Sequence, residues 1–150
     1  MVHFIELGNV FKIQGVESFA HGCNCAGAMG KGIALEFKKK FPNMYKEYKF
    51  LCSEGGFNLG DVYEYFTGQG YVYNLGTQLT WKKKADLNAI EKALYKMMEL
   101  ASKTSTNKIA LPKIGAGLGG LDWSDVKAVI IKVNKDFPDI ELFVIENYAP

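Results

Sequence analysis

The stretch that most constrains this chain is His21-Gly22-Cys23-Asn24-Cys25-Ala26-Gly27-Ala28-Met29-Gly30-Lys31-Gly32-Ile33-Ala34-Leu35-Glu36-Phe37. It opens on a short apolar strand, Ser18-Phe19-Ala20, and crosses several glycines with small neighbours. It then turns into an amphipathic pattern, with Ile33, Phe37 and Phe41 at helical spacing. A strand that empties through glycines into a helix N-terminus aims free backbone N–H groups and the positive end of the helix dipole at one place. Glycine also removes the Cβ that would hold a ligand off the backbone. The pattern predicts an anion site with His21 and Asn24 at its mouth.

A second junction of the same kind follows. Residues 108–111 read as a short apolar strand that empties into Pro112-Lys113-Ile114-Gly115-Ala116-Gly117-Leu118-Gly119-Gly120, after which Asp122 caps a helix. Between the junctions, Pro42 breaks the first helix, and Tyr45, Tyr48, Leu51 and Cys52 mark a second. Residues 61–66 and 70–75 read as strands joined by the turn Thr67-Gly68-Gln69-Gly70. Asp86 caps a long helix with the buried stripe Leu87, Ile90, Leu94, Met97 and Ala101, and residues 2–7 and 140–145 read as the first and last strands of the chain. Strands alternating with helices predict one α/β domain over residues 1–150, with helices on both faces of a mixed sheet. Ligands of open α/β sheets sit beyond the carboxyl ends of the strands, where two such loops side by side can grip both phosphates of a diphosphate.

Composition narrows the classes. The net charge of +2 is too small for a general nucleic-acid or membrane-surface field, so anion recognition must be local. No apolar run approaches the ~18 residues of a membrane span, and Met1 is not followed by a signal-peptide pattern. Cys23, Cys25 and Cys52 have no framework spacing, which fits a reducing, cytoplasmic setting. Cys23-x-Cys25 with His21 falls short of a zinc set, so no metal is expected. Gly115-x-Gly117-x-x-Gly120 matches the dinucleotide fingerprint, but only about thirty residues remain after it, too few for a nicotinamide domain. The same loop also reads as a tight turn without a ligand. Gly27-x-x-Gly30-Lys31-Gly32 is not a Walker loop, and no cofactor is expected. His21 reads either as a satisfied strand-end histidine or as an acid–base catalyst. Lys82-Lys83-Lys84 reads either as a solvated loop or as a phosphate-steering patch.

Both glycine motifs, in this order and each followed by a helix, resemble those of a macro domain, the three-layer α/β/α module that binds ADP-ribose. The resemblance covers nearly the whole chain. It lies nearest a branch that includes yeast-type ADP-ribose-1″-phosphate phosphatases, terminal ADP-ribose glycohydrolases and antitoxins that reverse DNA ADP-ribosylation. It implies that Asn9 meets the adenine while Val10 offers its backbone N–H, and that Asn24 faces the distal ribose. It also implies that Gly30, Lys31, Gly32 and Ile33 approach the diphosphate and that Thr77 lies at the ligand. Ile114, Gly115, Ala116, Gly117, Leu118 and Gly119 would close over the phosphates. The glycohydrolases carry a lysine where this chain has Gln78 and an aspartate where it has Gly119. The phosphatase-like members place a histidine just ahead of a Cys-Asn-Cys run, which His21 matches.

The resemblance therefore implies hydrolysis of ADP-ribose 1″-phosphate to ADP-ribose and phosphate. His21 would act as the general base or acid, and Asn24 as the second catalytic residue, positioning the distal ribose. The alternatives are a mono-ADP-ribosyl hydrolase acting on protein or nucleic acid, and a non-catalytic reader of ADP-ribose. The expected partners are accordingly ADP-ribose or its 1″-phosphate, or an ADP-ribosylated protein or nucleic acid. The protein is expected to be a monomer with no membrane association.

Overall fold

The computed structural model describes all 150 residues. In chain order the strands are β1 (Val2–Ile5), β2 (Phe19–Asn24), β3 (Val62–Phe66), β4 (Tyr71–Gln78), β5 (Lys108–Pro112) and β6 (Glu141–Ile145). The helices are α1 (Gly32–Lys40), α2 (Pro42–Ser53), α3 (Leu87–Lys103) and α4 (Trp123–Lys135), with a short 3-10 turn at Val10–Lys12. The strands form one sheet in the order β1-β6-β5-β2-β4-β3. Only the β3–β4 hairpin is antiparallel, so the sheet is mixed, as the alternation of elements predicts.

Side-chain alternation sorts the strands between two cores. Ala20, Tyr73, Leu75, Ile109, Leu111, Leu142 and Val144 pack under α3 and α4. Phe19, Cys23, Val72 and Ala110 pack on the other face under α1, α2 and the 3-10 turn, with Phe37, Met44 and Tyr48. The result is three layers, α/β/α. No helix is long and apolar enough to cross a membrane.

Local signals act where their chemistry places them. The Asp86 carboxylate accepts from the Ala89 N–H at 3.0 Å and starts α3, and Asp122 accepts from the Ser124 N–H at 3.0 Å and starts α4. Pro42 stands at the start of α2, where its missing N–H costs nothing. Two strands run further than local pattern suggests. β2 continues from Phe19 to Asn24 and β4 reaches Gln78, because the two pair in parallel from Phe19↔Val72 to Asn24↔Gln78. Glycine eases that approach, since a Cβ on Gly22 would lie 3.0 Å from Thr77 Oγ1, and a Cβ on Gly76 would strike the Asn58 carbonyl of the loop before β3.

The site is positioned by a parting of strands. β2 pairs with β5 only at Phe19↔Ala110. The chain leaves β2 toward β4 on one side and leaves β5 toward β6 on the other, which makes this gap the switch point of the sheet.

Candidate functional site

A cleft of about 750 Å³ opens at that gap. One wall is the end of β2 and the first glycine loop, with Gly22, Cys23, Asn24, Ala28, Met29, Gly30, Lys31, Gly32, Ile33 and Ala34. The other wall is the loop after β5, with Pro112, Lys113, Ile114, Gly115, Gly117, Leu118 and Gly119. Thr77, Gln78 and Trp81 form the side that follows β4. The loops almost touch across the opening: a Cβ on Gly32 would lie 3.4 Å from Leu118 Cδ1.

The walls offer backbone donors. Asp86 and Asp122 cap α3 and α4, but the first residues of α1 have no side-chain cap. The N–H groups of Gly30, Lys31, Gly32 and Ile33 bond to nothing else in the chain, and neither do those of Gly117, Leu118 and Gly119. Two lysines and no carboxylate line the cleft, so its field is positive. A second hollow, of about 460 Å³, lies between α2, β3 and α3. Its lining mixes Asp61, Glu64 and Glu99 with Lys96 and Lys103, and Lys96 already pairs with Asp61 at 3.2 Å.

Asn24 is the brace of the first loop. Its Oδ1 accepts from the N–H groups of Ala26 (3.0 Å) and Ala28 (3.2 Å) and from the Tyr48 hydroxyl (3.0 Å), while its Nδ2 donates to the Ala28 carbonyl at 2.8 Å. Strict alternation sends Asn24 to the face opposite Cys23. The register slips between these two residues, and the side chain reaches Tyr48 of α2 instead. Thr77 is buried and donates its hydroxyl to the Cys23 carbonyl at 3.3 Å. Gln78 Nε2 donates to the carbonyls of Thr80 (2.9 Å) and Lys83 (3.2 Å), which folds the loop that presents Trp81.

His21 corrects the sequence expectation. It is not at the mouth of the loop, because β2 continues three residues beyond it. The side chain is fully buried, stacked on Phe37 with ring centroids 3.9 Å apart, and its Nε2 lies 2.6 Å from Asn74 Oδ1. Burial outweighs the Asn74 bond and lowers its pKa to about 4. The neutral ring lies on the α1 side of a central strand, off the cleft wall, and meets the cleft only through the Cys23 sulfur, 3.4 Å from its Nε2.

Three other expected residues also stand off its walls. Asn9 accepts from the Phe11 N–H at 2.9 Å and caps the 3-10 turn, Val10 is wholly in the core, and Ala116 is the one residue of its loop segment that turns away. Sequence reasoning missed Gly22, Cys23, Ala28, Met29, Ala34, Gln78, Trp81, Pro112 and Lys113. For Trp81 the signal was present: an aromatic beside a lysine run, directly after a strand end. The cysteines supply no ready nucleophile, since burial pushes the Cys25 thiol up to about 11 and raises Cys23 well above its ordinary value.

Three layers around a mixed sheet, with two glycine loops meeting beyond its strand ends, define a macro domain. The chain belongs to that family: the Macro domain pattern matches residues 20–130. It is 32% identical over 150 residues to a DNA ADP-ribosyl glycohydrolase of Thermus aquaticus, covering 97% of this chain and 41% of the relative. An ADP-ribose 1″-phosphate phosphatase of Lodderomyces elongisporus is 27% identical over 140 residues, covering 85% of this chain and 86% of the relative. The solved macrodomain of Mycobacterium tuberculosis DarG superposes with a TM-score of 0.89 at 29% identity, covering 100% of this chain and 98% of that one. The chain spans about two fifths of the length of the DNA ADP-ribosyl glycohydrolases it matches.

Proposed function

We propose that the cleft binds ADP-ribose with its diphosphate between the two glycine loops, and that the protein hydrolyses ADP-ribose 1″-phosphate to ADP-ribose and phosphate. The observation that carries this reading is the set of unpaired N–H groups on facing walls, in a cleft with lysines and no carboxylate. Such donors suit phosphoryl transfer, in which positioning and charge stabilisation do most of the work and little side-chain chemistry is needed. Water attacks phosphorus, the bond to the distal ribose oxygen breaks, and that oxygen takes a proton from solvent. Asn24 positions the first loop for this step. His21 has no part in it.

A second reading is hydrolysis of ADP-ribose from nucleic acid. It is supported by the DNA ADP-ribosyl glycohydrolases among the relatives and by the DarG likeness. Against it stands Gln78, whose amide has no nucleophilic amine.

Two measurements test both readings. At a hundredfold excess over Kd, ADP-ribose stabilises the fold by about 2.7 kcal/mol, a melting shift of roughly 5–10 °C for a chain of this size. No shift with ADP-ribose, beside a shift with NAD, refutes the cleft assignment. Phosphate release from ADP-ribose 1″-phosphate, compared with ADP-ribose release from a modified oligonucleotide, then decides between the two reactions.

A further inference from the structure

Gln78 stands on the third side of the cleft, where β4 ends, and both its backbone and its side chain are tied down. Its main-chain carbonyl accepts from the Cys25 N–H at 2.9 Å, and the Thr77 carbonyl just before it accepts from the Asp86 N–H at 2.8 Å. Its Nε2 spends its hydrogens on the carbonyls of Thr80 at 2.9 Å and Lys83 at 3.2 Å. Two acceptors on one side of the amide fix which end is nitrogen and give Oε1 a set direction. Asn24, Thr77 and Gln78 are the cleft residues that carry a side-chain oxygen. Asn24 Oδ1 is taken by two N–H groups and the Tyr48 hydroxyl, and the buried Thr77 hydroxyl is spent on the Cys23 carbonyl. Gln78 Oε1 has no partner in the chain and is not enclosed, which makes it the free side-chain acceptor of the wall.

We infer that Gln78 is a positioning and specificity residue for the sugar, its Oε1 accepting a hydrogen bond from a ribose hydroxyl beside the diphosphate. The inference deepens the ADP-ribose reading of the cleft and rests on it. The rest of the cleft offers N–H groups and the ammonium groups of Lys31 and Lys113, which suit ligand groups that only accept. A diphosphate is such a group, and a carbonyl oxygen held against it would repel it. Gln78 Oε1 therefore needs a donor from the ligand. The donors of ADP-ribose that adjoin the diphosphate are the hydroxyls of its two riboses, whereas the adenine amine lies a whole sugar further off. A diphosphate held between the two glycine loops leaves the third side of the cleft to a ribose. An ammonium at this place could only donate, so glutamine is what lets the wall read a hydroxyl. The amide is already held before the ligand arrives, so the bond displaces water but orders little of the protein.

The test is calorimetric titration with ADP-ribose and with its monodeoxy analogues, each lacking the 2- or 3-hydroxyl of one ribose or the other. Wild type should bind one analogue roughly threefold to tenfold more weakly than ADP-ribose, and that analogue tells which ribose is read. Gln78→Met keeps the length of the side chain without the amide, and should bind ADP-ribose and that analogue equally. Any loosening of the Trp81 loop weakens both ligands alike and cancels in the ratio. Gln78→Glu keeps an acceptor, so it should keep the discrimination while binding both ligands more weakly, because its charge opposes the diphosphate. The inference is overturned if wild type binds every analogue as well as ADP-ribose, if Gln78→Met discriminates as wild type does, or if Gln78→Glu does not discriminate. Failure of wild type to bind ADP-ribose at all is a separate result and refutes the cleft assignment instead.

Discussion

Acidification from pH 7.5 to pH 4 should destabilise this protein through His21. Asn74 sets the protonation state of the ring: its Nδ2 donates to the Tyr63 carbonyl at 3.0 Å, so its Oδ1 faces His21 and must accept from Nε2–H. Nδ1 is then the bare nitrogen, and its only hydrogen-bond contact is the Cys23 sulfur at 3.8 Å, a poor acceptor for a second proton. Phe37 covers the ring face. The folded protein therefore keeps His21 neutral, with a pKa near 4 against 6.5 for a free histidine.

Below pH 6.5 the unfolded chain takes up a proton that the folded chain refuses. Stability is complete above about pH 6.5 and falls as the pH drops toward 4. The shift from 6.5 to about 4 corresponds to about 3 kcal/mol at 1.36 kcal/mol per unit. Urea unfolding at pH 7.5 and pH 4 measures the loss in wild type and in His21→Gln. The variant keeps His3 and every carboxylate, so their contributions cancel in the difference. Wild type should lose about 3 kcal/mol more than the variant over this interval. Equal losses in the two proteins would refute the argument from burial. By the same reasoning, folded His21→Gln should keep its turnover, and a loss of a hundredfold or more would restore the histidine to catalysis.

Gly117 and Gly115 should separate binding from folding. A Cβ at Gly117 meets nothing within 4 Å and its φ is not positive, so Gly117→Val should melt near wild type yet lose ADP-ribose binding at least tenfold as its methyls enter the cleft. Gly115 has φ +73°, and a Cβ there would lie 2.5 Å from Ile90 Cδ1, so Gly115→Ala should cost about 1–3 kcal/mol in urea unfolding. Asn24→Ala leaves two loop N–H groups without their acceptor, while the Tyr48 hydroxyl keeps the Asn24 backbone carbonyl at 2.7 Å, and should cost about 2–3 kcal/mol and weaken ADP-ribose binding. Tyr48→Phe should cost about 1 kcal/mol, and the double variant should be less unstable than the sum, as a thermal or urea double-mutant cycle will show.

The elements that sequence made legible are those with local causes. The Asp86 and Asp122 caps, the Thr67-Gly68-Gln69-Gly70 turn and the stop at Pro42 each act within a few residues. Where β2 ends is not a local matter: it continues past His21 to Asn24 because β4, some fifty positions away, offers a parallel partner through Gln78. This one non-local fact turned a candidate catalyst into a core residue. The second glycine loop shows the same limit: of its glycines, the positive φ falls on Gly115 and Gly120, which spacing alone does not single out. Trp81 carried a local signal, an aromatic beside a lysine run, but a solvated loop has the same composition, and only the cleft beside it places the ring on a wall.

The cleft walls also show how the loops hold their shape without a ligand. β2 and β4 end on a register pair of amides, Asn24 and Gln78. Each turns its side chain along its own loop, Asn24 onto residues 26 and 28 and Gln78 onto residues 80 and 83. An amide suits this task better than a carboxylate or an ammonium, because it both donates and accepts and adds no net charge. A carboxylate at either place would put a negative charge on the cleft wall and oppose the binding of a phosphate there. With neutral braces, the positive ends of the loops and the two lysines of the wall face the opening unopposed. On the proposed reading, turnover would depend on loop geometry more than on any reactive side chain. Substitutions that loosen the amide braces should therefore be felt in binding and turnover together, whereas those that change His21 are felt in folding.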